Sequence, residues 1–281
     1  MLMNNGNKDR FFFWFGVFVT LLFAGPASAG LKVFACHEEW AVLAKELAGE
    51  SASIFTPRTT AENSRKIQQS GSLDSALRSA DVVLCSSKFK WLSQAIEKSG
   101  NPNIQVGASG LILADELVKL NAIEDGHSSH VHYNRYVHAD PKRLRAIAGQ
   151  TTARLIQIDA ASADVYRANA KRFIGDLGML IAEIERDATG LKGQSVVGDV
   201  YSAYLLDWLG LQVTTSIEIA AGREASGVVH ANMGDPSAHV AFASKRDLPI
   251  VAIPFGPDRS GPVKSYIDYF RTAASSLMST L

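Results

Sequence analysis

The chain has 281 residues, with 28 basic and 28 acidic side chains, seven histidines and two cysteines. A balanced chain without a basic run argues against nucleic acid or an anionic membrane surface as its main partner. The length suits one large or two small domains.

Residues 1–29 read as a leader rather than as part of a fold. Lys8 and Arg10 precede an apolar run over 11–24 that is too short to span a bilayer comfortably, and Ala27-Ser28-Ala29 supplies small residues for cleavage after Ala29. No cysteine follows the run, so no lipid anchor is expected, and no later segment is long and apolar enough to insert in a membrane. The expectation is an exported mature chain, most simply in a bacterial periplasm.

Short apolar strands then alternate with amphipathic helices. This pattern predicts an α/β fold: two lobes of mostly parallel sheet flanked by helices and joined by a long rigid helix. A strand over 32–36 runs into a helix in which Trp40, Leu43, Ala44 and Leu47 share a face and Gly49 is the stop. A strand near 52–56, a helix over 72–79, a strand over 81–85 and a helix over 89–98 closed by Gly100 follow, and residues 103–106 read as a fourth strand. Residues 109–121 give no clear pattern. Cys36 and Cys85 each end a predicted strand. Neighbouring strands would allow a disulfide in an oxidising compartment, and the alternative is two buried thiols.

Helices are predicted over 141–158 and 161–189. In the second, Tyr166, Ala170, Phe173, Leu177, Ile181 and Ile184 recur at three- and four-residue steps, with Gly190 as the stop. Such a helix would be about 42 Å long, enough to link two lobes stiffly. Strands over 195–198, 212–217, 228–230 and 250–253 follow, with helices over 203–209, closed by Gly210, and 263–277. The expected division is a leader (1–29), an N-terminal lobe (30–143), linking helices (144–190) and a C-terminal lobe (191–281).

The chemistry concentrates in residues 125–138, which hold four of the seven histidines. Neutral imidazole is a common ligand for zinc and related ions, and short His-rich tracts often bind metal, although this spacing matches no closed zinc motif. A polar surface loop is the alternative. In an extended segment His132, Asn134, Tyr136 and His138 would share one face. His127 and His130 suit a mobile, low-affinity collecting loop. His37 and Asp199 each follow a predicted strand, where α/β proteins place ligand-contacting groups, although Asp199 could equally cap the next helix. His230 ends the strand over 228–230. No His-Glu-x-x-His helix, nucleophile elbow, phosphate loop or dinucleotide fingerprint is present, so a metallohydrolase is the weaker rival and no enzymatic activity is expected.

Several stretches carry a family likeness: Ala35-Cys36-His37-Glu38-Glu39-Trp40-Ala41, Ser79-Ala80-Asp81-Val82-Val83-Leu84-Cys85, Gly100-Asn101-Pro102, Asn134-Arg135-Tyr136-Val137-His138-Ala139-Asp140-Pro141 and Tyr204-Leu205-Leu206-Asp207-Trp208-Leu209-Gly210-Leu211, with Glu218 and Gly222. In this order and spacing the chain resembles the substrate-binding proteins of metal-ion ABC transporters, the zinc/manganese group, over essentially all of its mature length. The resemblance implies two lobes joined by a rigid helix, and a monomer is expected. One metal, as cargo, would lie in the cleft on three or four His, Asp or Glu ligands and pass to a membrane permease. Zinc is the first expectation, since a His-rich loop before the second ligand is common in the zinc members, with manganese or iron as alternatives.

The ligand positions depart from that pattern. The family's first His would fall near Arg65, which offers only donors, and its second falls on Tyr136. The third falls on Asp199, and the fourth lies near Pro254, with Asp258 the closest carboxylate. The candidate metal ligands are therefore His37, His132, His138, Asp199, His230 and Asp258. Two other outcomes stay open: binding of a small anionic ligand involving Arg65, or metal held only by the histidine loop. A periplasmic metal chaperone with no transporter of its own is a further alternative.

Overall fold

The computed structural model of the protein describes residues 30–57, 71–123 and 132–281. Its first half runs Lys32–Ala35 (β1), Glu38–Ala48 (α1), Ser53–Phe55 (β2), Gly71–Ser79 (α2), Val82–Cys85 (β3), Lys90–Ser99 (α3) and Leu111–Leu113 (β4). The four strands form a parallel sheet in the order β2-β1-β3-β4. Strand alternation sorts its residues onto two faces. Val33, Ala35, Val82 and Leu84 enter the main core. Phe34, Cys36, Val83 and Cys85 pack instead against Leu73 and Leu77 of α2 and Leu92 and Ile96 of α3.

The same alternation decides the cysteine question. The register pairs Phe34 with Val83 and Ala35 with Leu84. Cys36 and Cys85 are therefore next to each other on one face, and they form a disulfide with Cα atoms 5.0 Å apart. On the chain-entropy account a loop of this length contributes about 4 kcal/mol by restricting the unfolded chain.

The fourth strand lies at Leu111–Leu113 and not at 103–106. The earlier segment is diverted because Asn101 accepts a hydrogen bond from Asn103 N and Pro102 opens a 3-10 turn, Pro102–Ile104. The chain then passes so close to its neighbours that a Cβ on Gly110 would collide with the carbonyl oxygens of Asn103 and Asp81.

Ala122–Ile123 (β5) and His132–Tyr133 (β6) pair as an antiparallel hairpin. Residues 137–139 make a 3-10 turn. Asp140 then caps Pro141–Ile158 (α4), accepting from the backbone of Lys142 and Arg143. Ala163–Asp187 (α5) follows. Its buried stripe is Tyr166, Ala170, Phe173, Leu177, Leu180, Ile181 and Ile184, each large apolar member contributing roughly 1.5–3 kcal/mol by burial. At 25 residues it is about 37 Å long, shorter than expected, because 3-10 turns occupy 160–162 and 188–191, with Gly190 inside the second. It packs against α4, α1 and the last helix of the chain.

The second half runs Ser195–Gly198 (β7), Ala203–Trp208 (α6), Gln212–Thr214 (β8), Ile217–Ala220 (α7), Gly227–Ala231 (β9), Ser237–Arg246 (α8), Ile250–Ile253 (β10) and Tyr266–Thr280 (α9). Its sheet is also parallel, ordered β10-β9-β7-β8. The strand expected over 212–217 stops at Thr214, and Ile217 already belongs to α7. The closing helix begins at Tyr266 rather than 263, since Ser265 takes the cap position and accepts from Asp268 N. One apolar core runs from β1 and α1 through α4 and α5 to β9, β10 and α9. The two sheets are thus held through helices, with their strand ends facing a shared junction. Among the described residues no helix is long and apolar enough to cross a membrane.

Candidate functional site

The junction is built where β1 gives way to α1. His37 occupies the N-cap position in extended backbone (φ −144°), without a side-chain cap bond. Its Nδ1 lies 3.6 Å from Oε1 of Glu39. Glu39 is one turn before Leu43 on a helix buried over most of its surface, and it is only 4% exposed. Burial pushes its carboxyl above the ordinary range, against the pull of His138.

His138 comes from the 3-10 turn before α4 and has no exposed surface. Its Nε2 lies 3.0 Å from the carbonyl oxygen of Phe255, which follows β10. A carbonyl only accepts, so this contact assigns the proton to Nε2 and leaves the lone pair on Nδ1. That Nδ1 is buried without a hydrogen-bond partner. Burial holds the imidazole below its ordinary pKa, opposed by Glu39 and by the Phe255 carbonyl. The direction for both groups is toward the neutral form.

Aromatic rings close the space around His138. Phe255 is 4.8 Å away between ring centroids, Trp40 6.0 Å and Tyr136 6.5 Å. Tyr136 also packs on Tyr201 at 4.7 Å and on Phe255 at 5.8 Å. The backbone of the β10–α9 loop comes near enough that a Cβ on Gly256 would sit 3.3 Å from Nε2 of His138 and 3.4 Å from Cβ of Glu39. Beside this cluster lies a cavity of about 380 Å³ lined by His37, Glu38, Glu39, Phe255, Gly256 and Asp258.

The other candidates are placed differently. The carboxylate of Asp199, directly after β7, accepts from Ser202 N at 2.8 Å and from Ala231 N at 2.6 Å. Asp199 does not cap α6, whose N-cap position is Ser202; its carboxylate instead closes the turn before that helix and adds a backbone bond to β9. His230 lies on β9 at the same strand parity as Val228, which faces α8. Its Nδ1 is 3.3 Å from the carbonyl of Ala231. Asp258 lines the cavity, but its Oδ1 accepts from Ser260 N and Oγ, both at 2.7 Å. Burial raises its carboxyl pKa, and the bonds from Ser260 and Gly261 outweigh that, leaving it below the usual value.

His132 pairs with Ile123 in the hairpin. The shared face of His132, Asn134, Tyr136 and His138 does not extend through the segment. Tyr136 turns the backbone (ψ 48°) and His138 enters a 3-10 turn, so the period of two is lost after Asn134. Arg65, His127 and His130 lie outside the described residues. Among the described residues no three His, Cys, Asp or Glu side chains converge closely enough to hold a metal ion. Glu39, Tyr201 and Phe255 were not singled out from sequence. Only Glu39 left a signal there, an acidic residue on the apolar stripe of α1 directly after a strand end.

The comparisons with known proteins agree with this architecture. The sequence profile of the zinc-uptake complex component A periplasmic family (ZnuA) matches residues 33–237. No curated protein matches the chain. Among solved structures, a mutant of the laminin-binding adhesin of Streptococcus agalactiae superposes with a TM-score of 0.72 at 17% identity, over 90% of this chain and 100% of that one. A mutant of FpvC from Pseudomonas aeruginosa gives 0.72 at 15%, over 89% and 100%. The manganese-bound periplasmic metal-binding protein of Candidatus Liberibacter asiaticus gives 0.69 at 12%, over 88% and 98%. These identities speak to fold alone. The family match covers most of the chain, and on that ground this protein belongs to the ZnuA family of periplasmic metal-binding components of ABC transporters, which are solute-binding proteins and not enzymes.

Proposed function

We propose that the protein is exported by cleavage after Ala29, acts in the periplasm as a monomer of two lobes (30–143 and 191–281) linked by 144–190, and delivers a divalent metal, zinc first, to an ABC permease. The cargo is held at the lobe junction around His138.

One observation carries this reading: a buried, neutral imidazole whose Nδ1 lone pair has no partner while its Nε2 is held by the Phe255 carbonyl. Metal-ligating histidines commonly donate their second ring N–H to a carbonyl or carboxylate, which fixes tautomer and aim. Glu39 and His37 supply further oxygen and nitrogen donors on the cavity wall, as does Asp258. His132 is a further candidate ligand, and His127 and His130 serve as a low-affinity collecting loop. Manganese-type cargo would favour the carboxylates over the imidazoles.

A second reading has its own support. Both oxygens of Asp199 are engaged by backbone N–H groups, and Tyr136, Tyr201 and Phe255 pack against one another beside His138. A cleft so filled suits a protein that has given up the ion for a small anionic ligand. Elemental analysis and calorimetric zinc titration of residues 30–281 separate the two. One ion per chain at submicromolar affinity is the expected result. Weak binding of several ions that vanishes when 124–131 is deleted would overturn the junction site.

A further inference from the structure

One side chain ties the two lobes together beside the junction cavity. Arg259 stands in the loop between β10 and α9. That loop is stiffened from within, because Asp258 accepts from Ser260 N and Oγ, Asp258 N donates to the carbonyl of Val263, and Gly261 N donates back to Asp258 O. The guanidinium reaches across to the other sheet. Its Nε donates to Oε2 of Glu38 at 2.8 Å, and its Nη2 donates to Oε1 of Glu38 at 3.0 Å and to Thr56 Oγ1 at 2.9 Å. Glu38 is the first residue of α1, next to His37, and Thr56 follows β2. A single cation of the second lobe thus ties two separate elements of the first, in the fork geometry that makes arginine–carboxylate pairs directional. Glu38 and Asp258 both line the cavity that also exposes His37 and Glu39.

From this placement we infer that Arg259 is a clasp: its bidentate contact with Glu38 and its bond to Thr56 hold the β10–α9 loop against the first lobe beside the cavity and set how fast the bound ion leaves. Arg259 touches no cargo and acts by positioning the lobes. The inference rests on the metal-cargo reading for its effect on release, while the clasp itself is a property of the free protein. Releasing Arg259 from the first lobe breaks three hydrogen bonds. The pair is partly solvent-exposed, so its effect is moderate and weakens with salt.

The test compares wild type, Arg259→Gln and Arg259→Lys in the full mature chain. Zinc-loaded protein is mixed rapidly with a chromogenic chelator, and the release rate is read. Arg259→Gln should release zinc about three- to tenfold faster, with the gap narrowing in high salt. Arg259→Lys keeps the charge but not the fork and should recover part of the slow release. A reversed pair is a poorer rescue, since a cation at position 38 would oppose the dipole of α1. Hydrogen exchange on metal-free protein gives the second readout. Protection of the amides at 38–41 and 255–263 should fall in Arg259→Gln and recover partly in Arg259→Lys. Unchanged exchange in both variants overturns the clasp, whatever the cargo. Wild-type release rates in Arg259→Gln also overturn it. Altered exchange in a protein that holds no zinc upholds the clasp and instead defeats the cargo reading.

Discussion

The two sheets are built on the same plan and end differently. Each places an early strand of its lobe, β1 or β7, in the interior of a four-stranded parallel sheet, and each delivers a candidate ligand just past that strand's C-terminal end: His37 after β1, Asp199 after β7. In the first lobe the strand end is pinned by the Cys36–Cys85 disulfide, and its polar groups face the cavity. In the second lobe the carboxylate has turned inward and is occupied by Ser202 N and Ala231 N. The lesson is that a strand end offers a place for a ligand but not a lone pair. A carboxylate with both oxygens engaged by backbone N–H groups is less available to a site than one that keeps an oxygen free.

Tests of that contrast can be ordered by size. Replacing both Cys36 and Cys85 by Ala removes the pin and should lower stability by about 4 kcal/mol, read from denaturant unfolding under oxidising conditions. A loss near zero would mean that packing alone sets the β1–β3 ends. Asp199→Ala leaves two buried N–H groups without their acceptor and should cost about 3 kcal/mol, while zinc affinity of the protein that remains folded stays near wild type. A large fall in affinity with little loss of stability would reverse the contrast and make Asp199 a ligand.

The smallest effect concerns Asp115, past the end of β4. Burial raises its carboxyl pKa to about 6 from 3.8, although Arg135 stands 3.8 Å away and opposes the shift. A carboxyl raised on folding binds protons more readily in the native state, so it favours the native state at low pH and loses that advantage as pH climbs from 3.8 to about 6. Asp115→Asn should therefore stabilise the protein modestly at pH 7.5 and not at pH 4, seen as a pH-dependent difference in unfolding midpoint. His138 has the opposite sign. Its depressed pKa means that the unfolded chain takes up the proton first, so its share of stability is lost as pH falls below its ordinary value of 6.5.

Most of the fold was legible because its signals are local and repeated. Alternation placed β1 and β3, and the stripe from Tyr166 to Ile184 placed α5, which differs from its expected span only where 3-10 turns replace its ends. The fourth strand was not legible. Leu111–Leu113 has three residues, too few to show a period, and the diversion at Asn101-Pro102 depends on side-chain capping. The site was less visible still. Glu39 looks from sequence like an acidic residue complementing a helix dipole, and only tertiary burial shows that it faces His138. The second-lobe partners of His138 come from residues 117 positions away in Phe255 and 131 in Tyr269, a separation no spacing rule captures. The outcome for Asp199 depends on a backbone N–H 32 residues on, at Ala231.

The most direct measurement of the central claim is zinc titration of His138→Gln beside wild type, in the mature chain, by calorimetry. Glutamine keeps a polar group of similar reach but removes the aimed imidazole lone pair. If the ion is held at the junction, the variant should bind at least about tenfold more weakly while its far-ultraviolet circular dichroism and cooperative unfolding are retained. Equal affinity in the two proteins would contradict the junction site and leave the histidine tract as the place where metal binds.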